Sequence, residues 1–459
     1  MTRSRIQVVG GGLAGTEAAW QLAEAGIPVD LVEMRPVRPT PVHTSDRLAE
    51  LVCSNSLRGD TLHNAVGLLK REMELLDSLI IRAARRAAVP AGSALAVDRD
   101  AFAESITAAV TGHPQIRLTR REIAELPAGP AIIATGPLTS PSLHRCLDSL
   151  LGEGALAFFD AVAPIVARDS LDLGRIFKAS RYGKGGDDYL NIPLDRAQYE
   201  AFVGELLAAT KVEFRDFETE DLEYFEGCLP IEVMAERGPE TLRHGPMKPV
   251  GLVDPATGRR PWAVIQLRQD DLAAEHWNMV GFQTKLTHGE QKRIFRSLPG
   301  MTSARFVRFG MIHRNTFLNS PRHLDPLLRL VLRPELRLAG QITGVEGYVE
   351  SAATGLLAAR ALMAESAGLE PSPPPLETAL GGLVRHLTAR SAARFQPSNI
   401  TWGLIGCPGD LQSVRPKTER RRRQALQALD SVAAWAGTLG GRVRNVTEIT
   451  DSAGPLVRD

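Results

Sequence analysis

Three glycines near the start of the chain have the spacing of a phosphate-binding turn. Gly10, Gly12 and Gly15 follow a short β-branched run at residues 6–9 and precede a stretch with helical periodicity. In this pattern the first glycine permits a tight turn, the second lets the backbone approach a pyrophosphate, and the third lets helix and strand pack closely. The helix N-terminus then offers free N–H groups and a positive dipole end to the phosphates.

A carboxylate follows at the distance expected of a ribose ligand. A second β-branched run, at residues 29–32, ends at Glu33, 18 residues after Gly15. An acid here accepts hydrogen bonds from a ribose hydroxyl and would repel a 2′-phosphate. A glycine turn without a ligand is the alternative, and the combination of strand, turn and acid argues against it. The residues predicted to hold an adenine dinucleotide here are Gly10, Gly11, Gly12, Leu13, Ala14, Gly15 and Glu33.

Two later segments indicate that the dinucleotide is FAD. Residues 130–140 read as a buried strand with an Ala-Thr-Gly turn, which often passes the cofactor in flavoproteins. Residues 336–339 read as a strand that runs into a glycine-rich turn and a small-residue helix. An NAD dehydrogenase does not need a third such segment. An FAD-binding protein does, because it must also bind the half of FAD that lies far from the first glycine turn. The expected contacts in these segments are Thr135, Gly136, Gly340, Gln341, Gly347 and Tyr348.

These segments predict an α/β fold with a discontinuous, Rossmann-like FAD-binding domain of the glutathione-reductase type. Residues 1–150 form its first part and residues 325–368 its last part. Between them, residues 151–324 lose the alternation of strand and helix patterns, and we expect an inserted α+β domain that contacts the substrate. Residues 369–459 begin with a proline-rich linker and continue as a helical, basic C-terminal segment.

Composition limits the functional classes. The chain has 459 residues, of which 44% are hydrophobic and 23% charged, as is ordinary for a soluble protein of two or three domains. Its net charge of +1 does not itself indicate a nucleic-acid partner, so a polyanion must bind to local patches. Four widely spaced cysteines without a metal-binding pattern favour a reduced, cytoplasmic setting. No apolar run is long enough to span a bilayer.

Several longer blocks of sequence resemble one known family. They read Cys-Ser-Asn-Ser-Leu-Arg at 53–58, Gly-Cys-Leu-Pro-Ile-Glu at 227–232, Gly-Pro-Met-Lys-Pro-Val-Gly-Leu at 245–252, Val-Gly-Phe-Gln-Thr at 280–284 and Met-Ile-His-Arg-Asn-Thr at 311–316. With the two glycine turns, they resemble the bacterial folate- and FAD-dependent tRNA (uracil-5-)-methyltransferases over about residues 5–410. The FAD-dependent enzymes that modify tRNA wobble uridines share the first glycine turn but are much longer.

The resemblance implies a reaction and its co-substrates. 5,10-Methylenetetrahydrofolate would supply a one-carbon unit, and FAD reduced by NADPH or NADH would supply a hydride. The product would be 5-methyluridine at position 54 of the tRNA T loop. The preferred nicotinamide donor and the residues that contact folate stay open at this point.

The reaction explains why cysteines matter. C5 of uracil is a poor nucleophile, and a thiolate that adds at C6 makes it reactive. Such a thiolate needs a positive or N–H-rich environment. The resemblance points to Cys228 as the nucleophile and to Cys53 as a second thiol near the flavin, although which of the two attacks stays open. A cysteine is more often a small buried hydrophobe, and this remains our interpretation of Cys146 and Cys407.

Other residues of these blocks have a functional and a structural interpretation. Glu232 could orient a ligand or take the C5 proton, or form a structural salt bridge. Tyr348 could stack on flavin or folate, or be a core aromatic residue. Arg58 and Asn55 could contact FAD or folate, or stabilise a loop.

A tRNA partner would require local cations, because its target uridine must be drawn out of the T loop. The densest cluster is Lys417 with Arg420–Arg423, for which a solvated helix face is the alternative. His313 and Arg314 could bind substrate or phosphate, or be ordinary surface charges.

Three other functions remain open. They are flavin-dependent oxidation of a small molecule, FAD-dependent modification of another tRNA uridine, and tRNA binding with FAD as a purely structural group. The widely separated pair Cys53 and Cys228 favours the methyltransferase, because simple hydride transfer needs no such pair.

Overall fold

The structure is a computed structural model that describes residues 5–152, 156–212, 229–390 and 395–451. Its strands are β1 (Ile6–Val9), β2 (Val29–Glu33), β3 (Ser56–Gly59), β4 (Ala88–Val89), β5 (Ala94–Val97), β6 (Ile116–Arg120), β7 (Ala131–Ile133), β8 (Leu156–Val162), β9 (Ile165–Ala167), β10 (Phe177–Lys178), β11 (Tyr189–Leu194), β12 (Ala263–Gln269), β13 (His276–Met279), β14 (Phe306–Arg308), β15 (Met311–Phe317), β16 (Arg329–Leu330) and β17 (Arg333–Leu338).

The helices follow the same chain order. They are α1 (Leu13–Glu24), α2 (Ala65–Leu75), α3 (Leu79–Arg86), α4 (Arg99–Gly112), α5 (Pro141–Leu151), α6 (Arg196–Ala208), α7 (Ile231–Glu236), α8 (Thr241–His244), α9 (His288–Arg296), α10 (Ser320–His323), α11 (Tyr348–Ser366), α12 (Ala379–Thr388), α13 (Lys417–Leu439) and α14 (Val446–Asp451).

The first lobe is built on a six-stranded sheet with the order β16-β17-β7-β1-β2-β6. Its strands are parallel except for β16, which pairs antiparallel with β17. At the centre, Val8 pairs with Leu31 on one side and Ile132 on the other, and all three are buried. Aliphatic strands buried on both faces are typical of a parallel sheet. Since β17 follows the second lobe in sequence yet pairs with β7, the first lobe is discontinuous.

Two helices of the first lobe approach each other closely because small residues meet where they touch. A Cβ atom at Gly355 of α11 would overlap the carbonyl oxygen of Ala14 in α1. A Cβ atom at Gly340, ahead of α11, would lie 3.0 Å from the Cβ atom of Ala14. The absence of side chains therefore sets how near the beginning of α1 can come to α11.

The second lobe lies between β7 and β17 in sequence. Its six-stranded antiparallel sheet has the order β10-β11-β12-β13-β9-β14. Every residue of β12 is buried, and the rings of Phe202, Phe282 and Phe295 pack against one another in a separate core. A capping box begins α6, in which Asp195 accepts from the N–H of Gln198 at 2.8 Å.

A two-stranded ribbon joins the lobes. β8 leads into the second lobe and β15 returns from it, and they pair antiparallel with Val162 opposite Met311. Beside them, the three-stranded sheet β3-β5-β4 belongs to the first lobe. The hydroxyl of Tyr189, on β11, donates to the carbonyl of Ala91 at 3.0 Å and ties this small sheet to the second lobe.

The C-terminal helices pack on the first lobe. Glu72 of α2 is buried and accepts from the N–H groups of Ala379 and Leu380, at 2.7 and 2.8 Å, where α12 begins. Burial raises the pKa of Glu72 to about 8. Within the described ranges, the longest helices are too polar to be candidates for a membrane span.

Local sequence signals agree with these elements, with one correction. The predicted cap and helix after residue 97 are confirmed, since Asp98 accepts from the N–H of Ala101 at 2.9 Å as α4 begins. The helical periodicity of residues 65–88 corresponds to two helices, because the chain turns at Asp77, whose φ is 55°, and Ser78 caps α3. The domain boundaries at residues 150, 324 and 368 stay a prediction.

Gly355→Ala tests the close packing of α11 on α1. The new methyl group would meet backbone atoms, so we expect the free energy of unfolding to fall by about 1–3 kcal/mol. Gly204→Ala in α6 is the matched control, since its Cβ atom would meet no atom within 4 Å, and we expect stabilisation by about 0.5–1 kcal/mol. Chemical denaturation measures both. Equal stability of the two variants would contradict the packing argument.

Candidate active site

A cleft of about 460 Å³ opens where the parallel strands of the first lobe end. Its lining includes Gly10 after β1, Glu33 at the end of β2, Thr135 after β7 and Gly340 after β17. Ligands of open α/β sheets bind at this carboxyl edge. Residues from the second lobe and the ribbon complete the lining, namely Arg268, Gln283 and Asn315.

The glycine turn has the geometry that a pyrophosphate requires. A Cβ atom at Gly10, whose φ is +107°, would overlap the carbonyl oxygen of Ala134, and one at Gly15 would overlap the carbonyl oxygen of Gly10. Both glycines are therefore needed for internal packing. At Gly12 a Cβ atom would meet nothing within 4 Å, although this residue lines the cleft. The open space above Gly12, together with an α1 N-terminus that no side chain caps, fits a bound phosphate.

Glu33 is held at the cleft by hydrogen bonds from the first lobe. One carboxylate oxygen accepts from the N–H of Gly11 at 2.7 Å, and the other accepts from the N–H and Nε of Arg35 at 2.9 and 3.1 Å. Burial acts to raise the pKa of Glu33, yet the charge of Arg35 and these N–H groups hold it below its usual value. The ionised carboxylate keeps lone pairs for a ribose hydroxyl.

The turns after β7 and β17 close the cleft on its other side. Gly136 and Gly340 have φ of 67° and 83°, which favour glycine. The Thr135 hydroxyl pairs with that of Thr139 at 2.6 Å, and the side-chain amide of Gln341 donates to Glu346 at 2.8 Å. The predicted contacts in these segments all line the cleft, and so do Leu13 and Ala14 of α1. Gly15 is outside the lining.

A second helix N-terminus meets the same cleft. Gly347 precedes α11 with φ of 102°, and no side chain caps this helix. A Cβ atom at Gly347 would lie 2.6 Å from the carboxylate of Glu350 and 3.4 Å from the guanidinium of Arg58. Arg58 itself has φ of 61°, lines the cleft and pairs with buried Glu350. The arrangement holds a cation next to backbone N–H groups, which suits an anionic ligand.

Tyr348 fixes the loop that carries Cys53. Its hydroxyl oxygen accepts from the N–H groups of Cys53 and Ser54 at 2.8 and 3.1 Å. Burial raises the pKa of Tyr348, and the neighbouring Cys53 raises it further. Cys53 lines the cleft and its Sγ lies 3.6 Å from the carbonyl oxygen of Ala161. The structure thus brings the Cys53 thiol of the first lobe to β8, the strand that leads into the second lobe.

Three arginines surround this loop, and no local sequence pattern marks them as site residues. Arg268 donates to the hydroxyl of Ser54 at 2.8 Å and to Oδ1 of Asn55 at 2.9 Å. Arg99 donates to the carbonyl of Leu51 at 2.7 Å. Arg308 donates to the carbonyl of Val42 at 3.3 Å.

These arginines come from three distant parts of the chain. Burial lowers the pKa of both Arg268 and Arg308, because a charged guanidinium loses hydration there. Asn55 is also fully buried and donates to the carbonyls of Val97 and Gln269 at 3.0 and 2.9 Å. Asn55 and Arg268 therefore hold the loop between the lobes by hydrogen bonds. The guanidinium of Arg268 also gives this end of the cleft positive charge.

Glu232 lies outside the cleft lining. It is buried at the start of α7, where it accepts from the hydroxyl of Thr284 at 2.9 Å and the N–H of Lys285 at 2.7 Å. Burial raises the pKa of Glu232. The preceding residue of that segment, Gln283, lines the cleft. The carboxylate thus acts on the cleft through the segment that it holds.

The remaining candidates are not brought together by the described residues. Cys228 lies outside them, and the described chain resumes with Leu229, ahead of Ile231, whose N–H donates to the carbonyl of Gln283 at 2.7 Å. His313 and Arg314 lie on β15, and their side chains are likewise outside the description. Two further cysteines lie outside the cleft lining, namely Cys146 and Cys407. Their interpretation as buried side chains was wrong, because Cys146 is half-buried and Cys407 is exposed. No group of His, Cys, Asp and Glu in the described ranges could hold a metal ion.

Comparison with known proteins assigns the family. The sequence model of the family described as glucose inhibited division protein A matches residues 5–370. The chain is 55% identical to methylenetetrahydrofolate--tRNA-(uracil-5-)-methyltransferase TrmFO of Paramagnetospirillum magneticum, over 96% of this chain and 100% of that protein. It is 57% identical to TrmFO of Rhodospirillum rubrum, over 94% of this chain and 92% of that protein. The chain belongs to the TrmFO family. The resemblance seen in the sequence blocks is thereby confirmed, and the family is one of enzymes.

A solved structure shows the same fold. GidA of Aquifex aeolicus, in its form II crystal, superposes with a TM-score of 0.69 and is 15% identical, covering 98% of this chain and 75% of that chain. At this identity the likeness shows the fold alone. The predicted α/β class with a discontinuous, Rossmann-like FAD-binding fold is confirmed for this TrmFO-family chain.

Gly12→Ala tests the cofactor site without disturbing the fold. Its methyl group would enter the space expected for the pyrophosphate and meet no protein atom. We expect flavin absorbance per mole of purified protein to fall at least tenfold, because the backbone N–H groups lose their approach to phosphate.

The melting temperature separates this effect from unfolding. The melting temperature of Gly12→Ala should equal that of the parent protein without its cofactor, because the substitution removes only ligand binding. Gly15→Ala should melt below both, because its methyl group overlaps backbone. Full flavin content in Gly12→Ala would place the pyrophosphate elsewhere.

Proposed function

We propose that this chain transfers the methylene carbon of 5,10-methylenetetrahydrofolate to C5 of uridine 54 in the tRNA T loop, with FAD as cofactor and NAD(P)H as reductant. The observation that carries the proposal is the cleft, whose lining includes Cys53, Arg268 and the beginnings of two helices that no side chain caps. The names of the TrmFO relatives supply the folate and the tRNA uracil.

FAD fits the cleft on the chemistry of its lining. Gly12 leaves open space for a pyrophosphate, Glu33 offers an ionised carboxylate to a ribose, and Gly347 and Tyr348 begin a helix that faces the same space. When bound, FAD carries the hydride that the reaction needs from NAD(P)H to the one-carbon unit. The chain itself binds and orients the reactants, and Gly340 and Gln341 lie where they would contact the far half of FAD.

The thiols supply the covalent step. In our proposal the sulfur of Cys228 bonds to C6 of uracil, and the electron pair that moves to C5 attacks the methylene carbon of folate. The C5 proton then leaves, and the bond between the methylene carbon and the folate nitrogen breaks, which releases tetrahydrofolate. A hydride adds to the exocyclic methylene carbon that remains on C5, and the bond between sulfur and C6 breaks, which restores the C5–C6 double bond. Cys53 stands at the cleft with its N–H bound to Tyr348, where it can contact the reacting carbon or receive the proton. Glu232 positions the segment that contains Gln283.

The arginines near Cys53 suit anionic substrates. Arg99, Arg268 and Arg308 reach the same loop from three directions. Arg99 is paired with Asp270 at 3.0 Å, so the positive charge here is that of Arg268 and Arg308, and it favours the negatively charged groups that both folate and RNA carry. This charge does not distinguish the two, so the contacts of each substrate are left to experiment.

We propose that the N-terminal half of α13 contributes to the tRNA surface. Arg422 and Arg423 pair with Glu419, whereas Arg420 and Arg421 have no acidic partner among the described residues. The guanidinium of Arg421 lies 5.6 Å from the ring centroid of Trp402. The Trp402 indole donates to the carbonyl of His63 at 2.7 Å, and nearby Asn399 lines the cleft. Arg421 thus packs on Trp402, which follows a residue of the cleft lining closely in sequence.

Isotope transfer tests the reaction directly. With a tRNA transcript that contains uridine 54, NADPH and labelled folate, we expect the label of the methylene carbon in 5-methyluridine. Label from S-adenosylmethionine should stay out of the RNA. The opposite labelling pattern would refute the proposal, and a transcript with cytidine at position 54 should remain unlabelled.

Cysteine variants assign the thiols in the same assay. Cys228→Ala should keep its flavin and transfer no methyl group, because C5 is then not activated. Cys407→Ala is the matched control, since this thiol is exposed and lies away from the cleft lining, and it should retain full activity. Normal turnover by Cys228→Ala would remove it from the nucleophile's role, and comparison with Cys53→Ala would show whether the other thiol attacks.

A further inference from the structure

An exposed tyrosine stands out on the second lobe. Tyr182 lies in the loop between β10 and β11, with 62% of its surface exposed. Its backbone has φ of 60° and ψ of 21°, a left-handed conformation that is uncommon for a bulky residue. Such conformations persist only where the surrounding structure enforces them.

The motif at 245–252, which the proposed chemistry does not use, enforces this conformation. The N–H of Tyr182 donates to the carbonyl of Gly251 at 3.0 Å. A Cβ atom at Gly251, whose φ is +83°, would lie 2.9 Å from the tyrosine ring, so only glycine lets the ring rest there. Arg181 donates to the carbonyl of Val250 at 3.1 Å and to that of Lys248. The ring is therefore held outward in a fixed position.

Three lysines lie on the segments next to Tyr182, since Lys178 and Lys184 flank it in sequence and the carbonyl of Lys248 accepts from Arg181. Lys178, Lys184 and Lys248 are exposed, and among the described residues none of the three forms an ion pair. Of the two acids in the loop, Asp188 is turned toward the first lobe, where it accepts from the N–H of Gly92 at 2.7 Å. Asp187 remains exposed. We call Tyr182, Lys178, Lys184 and Lys248 the Tyr182 surface.

The Tyr182 surface is connected to the cleft through β12. Arg181 donates through Nε to Gln266 at 2.8 Å. Alternate residues of a strand share a face, so Gln266 and Arg268 lie on the same face of β12. Arg268 lines the cleft and holds the Cys53 loop. A polymer that enters the cleft on this side can thus contact both.

We propose that the Tyr182 surface binds the RNA substrate, with the phenol ring stacked on an unpaired base and the lysines on neighbouring phosphates. This inference rests on the proposed function, which supplies tRNA as partner. An outward aromatic ring among unpaired cations is the combination that proteins use for single-stranded nucleic acid. An acidic protein surface would match the lysines alone, whereas a nucleic-acid strand matches both the lysines and the exposed aromatic ring.

Equilibrium binding to an unmodified tRNA transcript tests the inference. We expect Tyr182→Ala to bind about tenfold more weakly, as for the removal of one stacked base, and Tyr182→Phe to bind as the parent protein does. The double variant Lys184→Ala, Lys248→Ala should reduce the slope of log affinity against log salt by roughly 0.7 for each phosphate that the variant no longer neutralises. Fluorescence anisotropy over a salt series measures both effects.

Matched controls come from the same lobe. Leu207→Ala removes an exposed apolar side chain of α6, and Arg175→Ala removes an exposed cation, so both should leave binding unchanged. Flavin content and flavin reduction by NADPH should be equal in all variants, which shows that each is folded. Binding of Tyr182→Ala within twofold of the parent, or an unchanged salt slope in the lysine variant, would overturn the inference. Failure of the parent protein to bind and methylate the transcript would instead overturn the proposed function.

Discussion

The cleft depends on one constraint, which is that the beginning of α1 packs directly on α11, with no side chain between their backbones. Gly355 of α11 rests against the carbonyl of Ala14 in α1, and Gly15 rests against the carbonyl of Gly10. Because the first N–H groups of a helix have no partner within it, and no side chain caps α1 or α11, their positive ends converge on one space. Two such helix N-termini suit a dinucleotide, because its pyrophosphate and its ribityl chain can each accept hydrogen bonds from one of them.

A second constraint fixes the lobes relative to each other at Cys53. Buried Asn55 and Arg268 bind each other across the lobes, and each also bonds to backbone or to Ser54. Buried polar groups of this kind are costly unless every partner is in place, so the contact favours one relative position of the lobes. Tyr348 then holds the Cys53 backbone beside the start of α11. The thiol is thereby positioned by the cofactor-binding elements themselves.

Features that depend on neighbouring residues could be predicted from the sequence, whereas contacts between distant segments could not. The glycine turn, Glu33 and the cap at Asp98 could be read because their physics is confined to a few neighbouring residues. Arg268 could not be found, since its partners lie more than 200 positions away in sequence. Sequence periodicity also did not show that residues 65–88 break at Asp77, because a single left-handed residue interrupts the helix without changing its apolar pattern.

The place of the insertion explains why a large lobe can serve this cleft. A connection that leaves a parallel strand does so at its carboxyl end, which is where ligands of such sheets bind. The second lobe is inserted between β7 and β17, and its entering and leaving strands, β8 and β15, pair beside the cleft, which Asn315 of β15 lines. Pairing of these strands makes a short two-stranded stalk. An insertion at this point can therefore add side chains to the cleft, as Arg268 and Gln283 do, without interrupting the parallel sheet.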